Sequence, residues 1–266
     1  MTSSVDLLAL ARSVAREAGA FLVHERPASL RMDVKSSPTD VVTEMDRASE
    51  ALLVQMILRA RPDDGILGEE GGERAGTSGV RWVLDPIDGT TNYLYGLPAW
   101  AVSVAAEVDG VVVAGVVEAP ALGRRYYASL GDGAWEEHAG TQRALRCSSC
   151  KVLAVSLVST GFGYSADQRA RQAEDLRVLA PLVRDIRRMG AASLDLAWVG
   201  AGYVDAYFET GLHAWDVAAG GLVAREAGAT VASLPGPPGE GDLTLAAAPG
   251  IVDALREALV GSVDTS

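Results

Sequence analysis

Apolar positions along the chain follow two periods, and the period changes mark the elements. In residues 4–24, Val5, Leu8, Ala11, Ala15 and Leu22 fall at the spacing of one buried helix face, with Ser4 as the cap. After a loop, "VKSSPTD", the stretch "DVVTEMDRASEALLVQMILRARP" predicts a second helix, closed by Pro62. "DDGILGEEGGE" predicts a short strand ending in an acidic, glycine-rich loop, and the apolar density of "VRWVLD" predicts another strand. From Ala99 to Glu137 the pattern is a β-meander. Asp109-Gly110 stands between two Val-rich runs as a hairpin turn, and Gly131-Asp132-Gly133 repeats the device.

Past residue 150 strands and helices alternate. "VLAVSLVST", "RDIRRM", "VDAYFE", "TVAS" and "LTLAAAP" read as strands. "DQRARQAEDLRVLAPLV", "AASLDLAWVGAG", "AWDVAAGGLVAREAG" and the segment from Ile251 read as helices. This rhythm implies an α/β half with helices covering a sheet, following an α+β half that mixes two helices with the meander. A soft boundary near residue 150 divides the chain into 1–150 and 151–266. "LPGPPGEGD" is a loop, and there are no internal repeats.

Composition narrows the function. At 266 residues the chain is long enough for one large domain or two closely packed ones. Its net charge of −12 argues against nucleic acid or an anionic membrane as partner. An anionic substrate would then need something positive in its site. Lys35 and Lys151 are the only lysines, so a divalent cation is the economical source of that charge. Cys147 and Cys150 lack a second pair or a nearby histidine at zinc-finger spacing and read as reduced thiols, with redox chemistry the lesser alternative. The N-terminus lacks the pattern of a secretory signal, and no apolar stretch has transmembrane length, so a soluble, cytoplasmic protein is expected.

Four acids stand near the ends of predicted elements: Glu69 in "LGEEGG", Asp85 and Asp88 in "WVLDPIDGTTNY", and Asp216 in "AWDVAAGG". Taken singly, each has an ordinary explanation. Asp88-Gly89 resembles a turn, Glu69-Glu70 a solvated loop, and Asp216 a complement to a helix dipole. Taken together they are acids among apolar residues with too few basic neighbours to neutralise them. Oxygen-ligated Mg²⁺, suited to sites that also hold phosphate, is the partner such a set calls for.

The three quoted motifs, in this order and at these distances, closely resemble the inositol monophosphatase family of Mg²⁺-dependent, lithium-sensitive phosphatases, its bacterial inositol-1-monophosphatase branch above all. "VKSSPTDVVTEMD" and "GAASLDLAWVGAGYVDAYFETGLHAWD" extend the likeness over nearly the whole chain. The resemblance implies an α-β-α-β-α layered sandwich, usually a homodimer, with two to three Mg²⁺ per site. One ion would take Glu69, Asp85 and the carbonyl of Ile87; a second would take Asp85, Asp88 and Asp216; a third, weaker ion would take Glu69 and waters. Asp46 and Thr90 would orient the attacking water, with Glu69 also in the catalytic set. Gly89 and Thr90 would begin a helix whose amides face the phosphate. Glu70 would support the site from behind the ligands.

For the substrate, the resemblance places Asp88, Gly89, Thr90, Gly190, Ala192, Glu209 and Asp216 around a phosphate monoester, with Glu209 holding hydroxyls. A strand-end surface acid is the ordinary alternative for Glu209, a solvated loop residue for Lys35, and a structural role for His213. Tyr164 lies where relatives vary. Arg187 and Arg188 are the one basic cluster nearby, with Arg187 matching a monophosphatase position. Inositol 1-phosphate is the expected substrate, histidinol phosphate the second, and fructose 1,6-bisphosphate or phosphoadenosine phosphate further alternatives. Two non-enzymatic readings stand beside these: a regulatory partner that kept the fold, and a structural calcium-binding module.

Overall fold

The structure, a computed structural model, describes residues 3–35, 37–237 and 239–263. Helix α1 (Ser4–His24) buries Leu7, Ala11, Val14, Ala15, Ala18 and Leu22. Its cap is Ser3, one residue before the position periodicity predicts, because the Ser3 hydroxyl accepts the amides of Val5 (3.1 Å) and Asp6 (3.4 Å). A small antiparallel hairpin follows, β1 (Met32–Val34) with β2 (Val41–Thr43). Residues 41–43, expected in the second helix, are therefore strand. All three are β-branched, and Thr43 caps α2 (Glu44–Ala60), so the helix starts only after them.

Strands β3 (Gly65–Gly68), β4 (Gly72–Arg74) and β5 (Val80–Asp88) lead into the short helix α3 (Thr90–Tyr95). The meander is β6 (Ala101–Val108), β7 (Val111–Ala119), β8 (Arg124–Ser129) and β9 (Ala134–His138), lengthened by β10 (Thr141–Ala144). Asp109 and Gly110 both adopt positive φ, 50° and 81°, as a tight hairpin requires. These strands form an eight-stranded sheet ordered β10-β9-β8-β7-β6-β5-β3-β4, antiparallel except for β3 with β5.

The later segments are β11 (Leu157–Thr160), α4 (Ala166–Leu179), β12 (Asp185–Arg187), α5 (Ala192–Ala201), β13 (Ala206–Thr210), α6 (Ala214–Glu226), β14 (Thr230–Leu234), β15 (Leu243–Ala247) and α7 (Val252–Val263). Of the strand expected over "VLAVSLVST", only Leu157–Thr160 pairs; Leu153–Val155 is a 3₁₀ turn. The second sheet is ordered β12-β11-β13-β15-β14, with β11 parallel to both its neighbours.

Four apolar clusters stack these elements into the expected α-β-α-β-α sandwich. Leu7, Leu22, Leu53 and Ile57 of α1 and α2 pack on Trp82, Leu84 and Val104. The opposite face of that sheet, with Val83, Ala105 and Val117, meets Leu194, Ala219 and Leu222 of α5 and α6. Those two helices meet the second sheet through Leu196, Tyr207 and Ala246, and α7 covers its far face through Leu255 and Leu259. Helix α6 is pressed between layers, and its small residues follow from that. A Cβ on Gly115 of β7 would lie 2.9 Å from Ala219 Cα, and one on Gly220 2.5 Å from the Ser193 carbonyl. Among the described residues no helix is long and apolar enough to cross a membrane.

Strand β5 is buried nearly throughout. Trp82 and Leu84 point into the α1/α2 cluster and Val83 into the α5/α6 cluster, so Asp85 shares the α5/α6 side. At period two, Asp88 would face the other way. The pairing with β6 jumps from Asp85↔Ser103 to Asp88↔Ala101, which leaves one extra residue on β5. That bulge re-aims Asp88 onto the side of Asp85 while Ile87 turns into the α1/α2 cluster. Pro86, which has no amide to donate, is suited to the interrupted ladder.

Candidate active site

Carboxylate oxygens of Asp85, Asp88 and Asp216 all lie within 4.8 Å of one another at the end of β5 and the start of α6. Local bonding fixes each of them. Asp85 Oδ1 accepts the Ile87 amide at 3.0 Å, closing the turn over Pro86. Asp88 accepts the amides of Ala192 (3.0 Å) and Ser193 (2.7 Å) and the Ser193 hydroxyl (2.5 Å), so it caps α5 from outside. Asp216, in the first turn of α6, accepts the His213 amide at 2.6 Å. The Ser103 hydroxyl donates to the Trp215 carbonyl at 3.2 Å and ties that turn to β6. Helix N-termini thus hold two of the three negative charges in place.

Glu69 borders this cluster from the loop after β3. Lys35 Nζ donates to Glu69 Oε1 at 2.8 Å and also pairs with Glu70. Lys35 is accordingly an ion-pair partner rather than the solvated loop residue of the ordinary reading. Burial works against its charge, but Glu69 and Glu70 outweigh that and raise its pKa.

The acids carry the mark of crowded negative charge. Burial pushes Glu69 up to about 7; Lys35 opposes this, and Glu70 and Asp216 add to it. Asp85 is raised well above the usual carboxylate range by burial and by the charges of Glu69, Asp88 and Asp216. Asp88 is pushed up to about 6 by burial and Asp216, against the bonds from Ser193 and Ala192. Convergent oxygens, a hard anionic donor set and no protein cation among the three aspartates fit a divalent cation with oxygen ligands. Asp85, Asp88 and Asp216 would hold it, with Glu69 at the border.

Asp46 and Thr90 also meet. Asp46 sits in the first turn of α2, where it accepts the amide (2.8 Å) and hydroxyl (2.5 Å) of Thr43. Its other oxygen accepts the Thr90 hydroxyl at 2.9 Å. Thr90 Oγ1 is also 3.1 Å from the Ile87 carbonyl, and its single hydrogen serves one acceptor at a time. Burial raises the Asp46 pKa against the bonds from Thr43 and Thr90. Gly89, at φ 89°, turns the chain into α3, whose opening amides at Thr90 and Thr91 have no intrahelical acceptor.

Among residues expected around a substrate, Gly190 and Ala192 flank the start of α5 beside Asp88. Glu209 ends β13 half-buried, and Tyr207 donates to its Oε2 at 2.6 Å. Burial pushes Glu209 up to about 7, opposed by the Tyr207 bond. His213 is exposed and stacks on Trp215 with centroids 4.7 Å apart. Arg187 pairs instead with Asp185 (2.6 Å) on the strand edge.

Sequence reasoning passed over several neighbours. Ser193 binds Asp88, and only its place two residues before Leu-Asp in "AASLD" hinted at a helix start. Glu50, buried on α2, accepts the amides of Glu70 (2.9 Å) and Gly71 (2.5 Å) and so anchors the loop that carries Glu69. The Tyr164 carbonyl receives the Thr39 hydroxyl at 2.7 Å and links the β1–β2 loop to the segment after β11.

Comparison with known proteins matches this arrangement. The model of the inositol monophosphatase family matches residues 4–265. An inositol-1-monophosphatase of Mycobacterium leprae is 48% identical, covering 96% of this chain and 93% of its own. A protein of Pasteurella multocida named Nus factor SuhB is 40% identical, with 94% of each chain covered. The solved structure of Mycobacterium tuberculosis SuhB superposes with a TM-score of 0.85 at 43% identity, covering 98% of each chain. With the layered fold and the gathered acids, these likenesses establish that the chain belongs to the inositol monophosphatase family.

Proposed function

We propose that this chain is a Mg²⁺-dependent phosphatase that hydrolyses inositol 1-phosphate to myo-inositol and phosphate. The observation that carries the reading is the convergence of Asp85, Asp88 and Asp216 beside the Asp46–Thr90 pair. Mg²⁺, when bound, neutralises the phosphoryl oxygens and acidifies the attacking water. The remaining work belongs to the chain. Thr90 Oγ1 receives the proton of that water and passes its own to Asp46, whose raised pKa suits it to hold one. The first amides of α3 bind a phosphoryl oxygen, and Asp88 and Asp216 set its position. Glu209 accepts a hydroxyl of the leaving group, which penalises any ester unable to fill that bond. In this reading residues 1–150 supply most of the charge-bearing machinery, and residues 151–266 supply Asp216 and the leaving-group side.

Phosphate release tests it, with inositol 1-phosphate, histidinol phosphate, fructose 1,6-bisphosphate and phosphoadenosine phosphate, each with and without Mg²⁺. Mg²⁺-dependent release, fastest from inositol 1-phosphate, is the expected result. Absence of release from all four would overturn the enzymatic reading and favour a partner-binding role, the class to which the Nus-factor name of the Pasteurella relative points.

A further inference from the structure

Arginine is nearly the only cation this chain has, and most arginines near the site are occupied. Arg187 donates to Asp185 and to the Ile186 carbonyl (2.9 Å). Arg169 donates to the Tyr164 carbonyl at 2.7 Å. Arg188 differs: it is exposed, and among the described residues it makes no ion pair. Its guanidinium folds back over Gly190, where any Cβ would collide with Nη1. Gly190 itself takes φ 86°, and its carbonyl would lie 3.0 Å from a Cβ on Gly89. The chain thus sets Arg188 one residue outward from the reacting end of the site.

Glu209 faces the same space. Tyr207 holds Oε2, and the carboxylate covers Gly161, a position where a side chain would collide with it. Oε1 has no protein donor among the described residues. The charge of Arg188 reaches both Glu209 and the buried Asp195 behind it. An acceptor and a fork of donors therefore flank the leaving-group side, with charges that nearly cancel.

That pairing has a chemical preference. A hydroxyl group both donates and accepts, so a ring carrying several can satisfy Glu209 and Arg188 together. An ammonium group can satisfy only Glu209 and is repelled by Arg188. We infer that Arg188, acting with Glu209, selects a neutral, polyhydroxylated leaving group and rejects a cationic one. The inference rests on the phosphatase reading and decides between its first two substrates.

The test is the ratio of kcat/KM for inositol 1-phosphate to that for histidinol phosphate, which cancels any general loss of activity. Arg188→Gln should lower the ratio about tenfold, the effect of one lost charge-assisted contact, and Arg188→Glu about a hundredfold. Arg188→Lys should keep it within about threefold of the parent, since the charge is retained. Arg187→Gln, which changes an arginine already paired on the strand edge, serves as the control. Circular dichroism melts establish that each variant is folded. A ratio unmoved in both Arg188→Gln and Arg188→Glu would overturn the inference and leave the phosphatase reading standing. A parent enzyme that prefers histidinol phosphate would overturn it too. Absence of phosphate release from every ester would remove the phosphatase reading itself and this inference with it.

Discussion

At Asp88 one carboxylate does two jobs, capping α5 through three donors and facing Asp85 and Asp216. Asn at that position keeps the shape and one oxygen for the α5 amides, but it loses the charge a cation needs. Asp88→Asn should therefore abolish turnover while leaving the circular dichroism spectrum and melting temperature close to the parent; near-normal phosphate release would refute the metal assignment. Thr90 stands apart from the three converging aspartates and donates to Asp46. Removing its hydroxyl interrupts proton transfer without removing a carboxylate. Thr90→Ala should lower kcat by about a hundredfold, the usual scale of a lost acid–base group, with Mg²⁺ affinity by calorimetry changed less than threefold. A comparable loss of Mg²⁺ affinity would instead make Thr90 part of the metal shell.

Elements turn these residues toward one another, and here the sequence was only partly legible. "LGEEGG", "DPIDGTT" and "AWD" announce themselves because acids and glycines interrupt apolar runs. The bulge that brings Asp85 and Asp88 to one side of β5 does not, because its extra residue is visible only against the register of β6. The β1–β2 hairpin was hidden for a related reason: Val41–Thr43 borders an amphipathic helix, and its pairing partner lies across a loop. Glu50 was equally silent, an ordinary helix acid until its carboxylate is seen to accept two amides of the Glu69 loop. Those bonds set the loop's path, so Glu50→Ala should loosen the loop before it harms the chemistry. The Mg²⁺ concentration for half-maximal activity should rise about tenfold, and calorimetric Mg²⁺ affinity should fall in parallel, while kcat at saturating Mg²⁺ drops less than threefold. A fall in kcat with unchanged Mg²⁺ affinity would exclude the anchoring role.

For the molecule as a whole, gathering like charges in a chain of net charge −12 makes stability depend on pH and on metal together. Glu69 moves from 4.5 to about 7 on folding, Asp88 from 3.8 to about 6, and Glu209 from 4.5 to about 7. In each case burial is the leading cause. A carboxyl whose folded pKa is the higher one binds more protons folded than unfolded, so its contribution is complete below about pH 4 and is lost as pH rises to about 7. Asp64, Glu136 and Glu137 run the other way: burial raises them, but arginine partners and hydrogen bonds hold them below their ordinary values. Their contribution is lost only in acid and is constant across the window from pH 5 to pH 8. The metal-free protein should therefore melt at a lower temperature at pH 8 than at pH 5. Mg²⁺ binds the ionised acids and competes with their protons, so the stabilisation it gives should be larger at pH 8. For a chain of this size each kcal/mol moves the melting temperature by about 2–4 °C, so at millimolar Mg²⁺ the rise should be about 5 °C or more at pH 8 and less than half that at pH 5. Scanning calorimetry at the two pH values, with EDTA or with Mg²⁺, measures all four temperatures. An equal Mg²⁺ shift at both would mean that the acids are already ionised at pH 5, and that their crowding is relieved within the fold rather than by a cation.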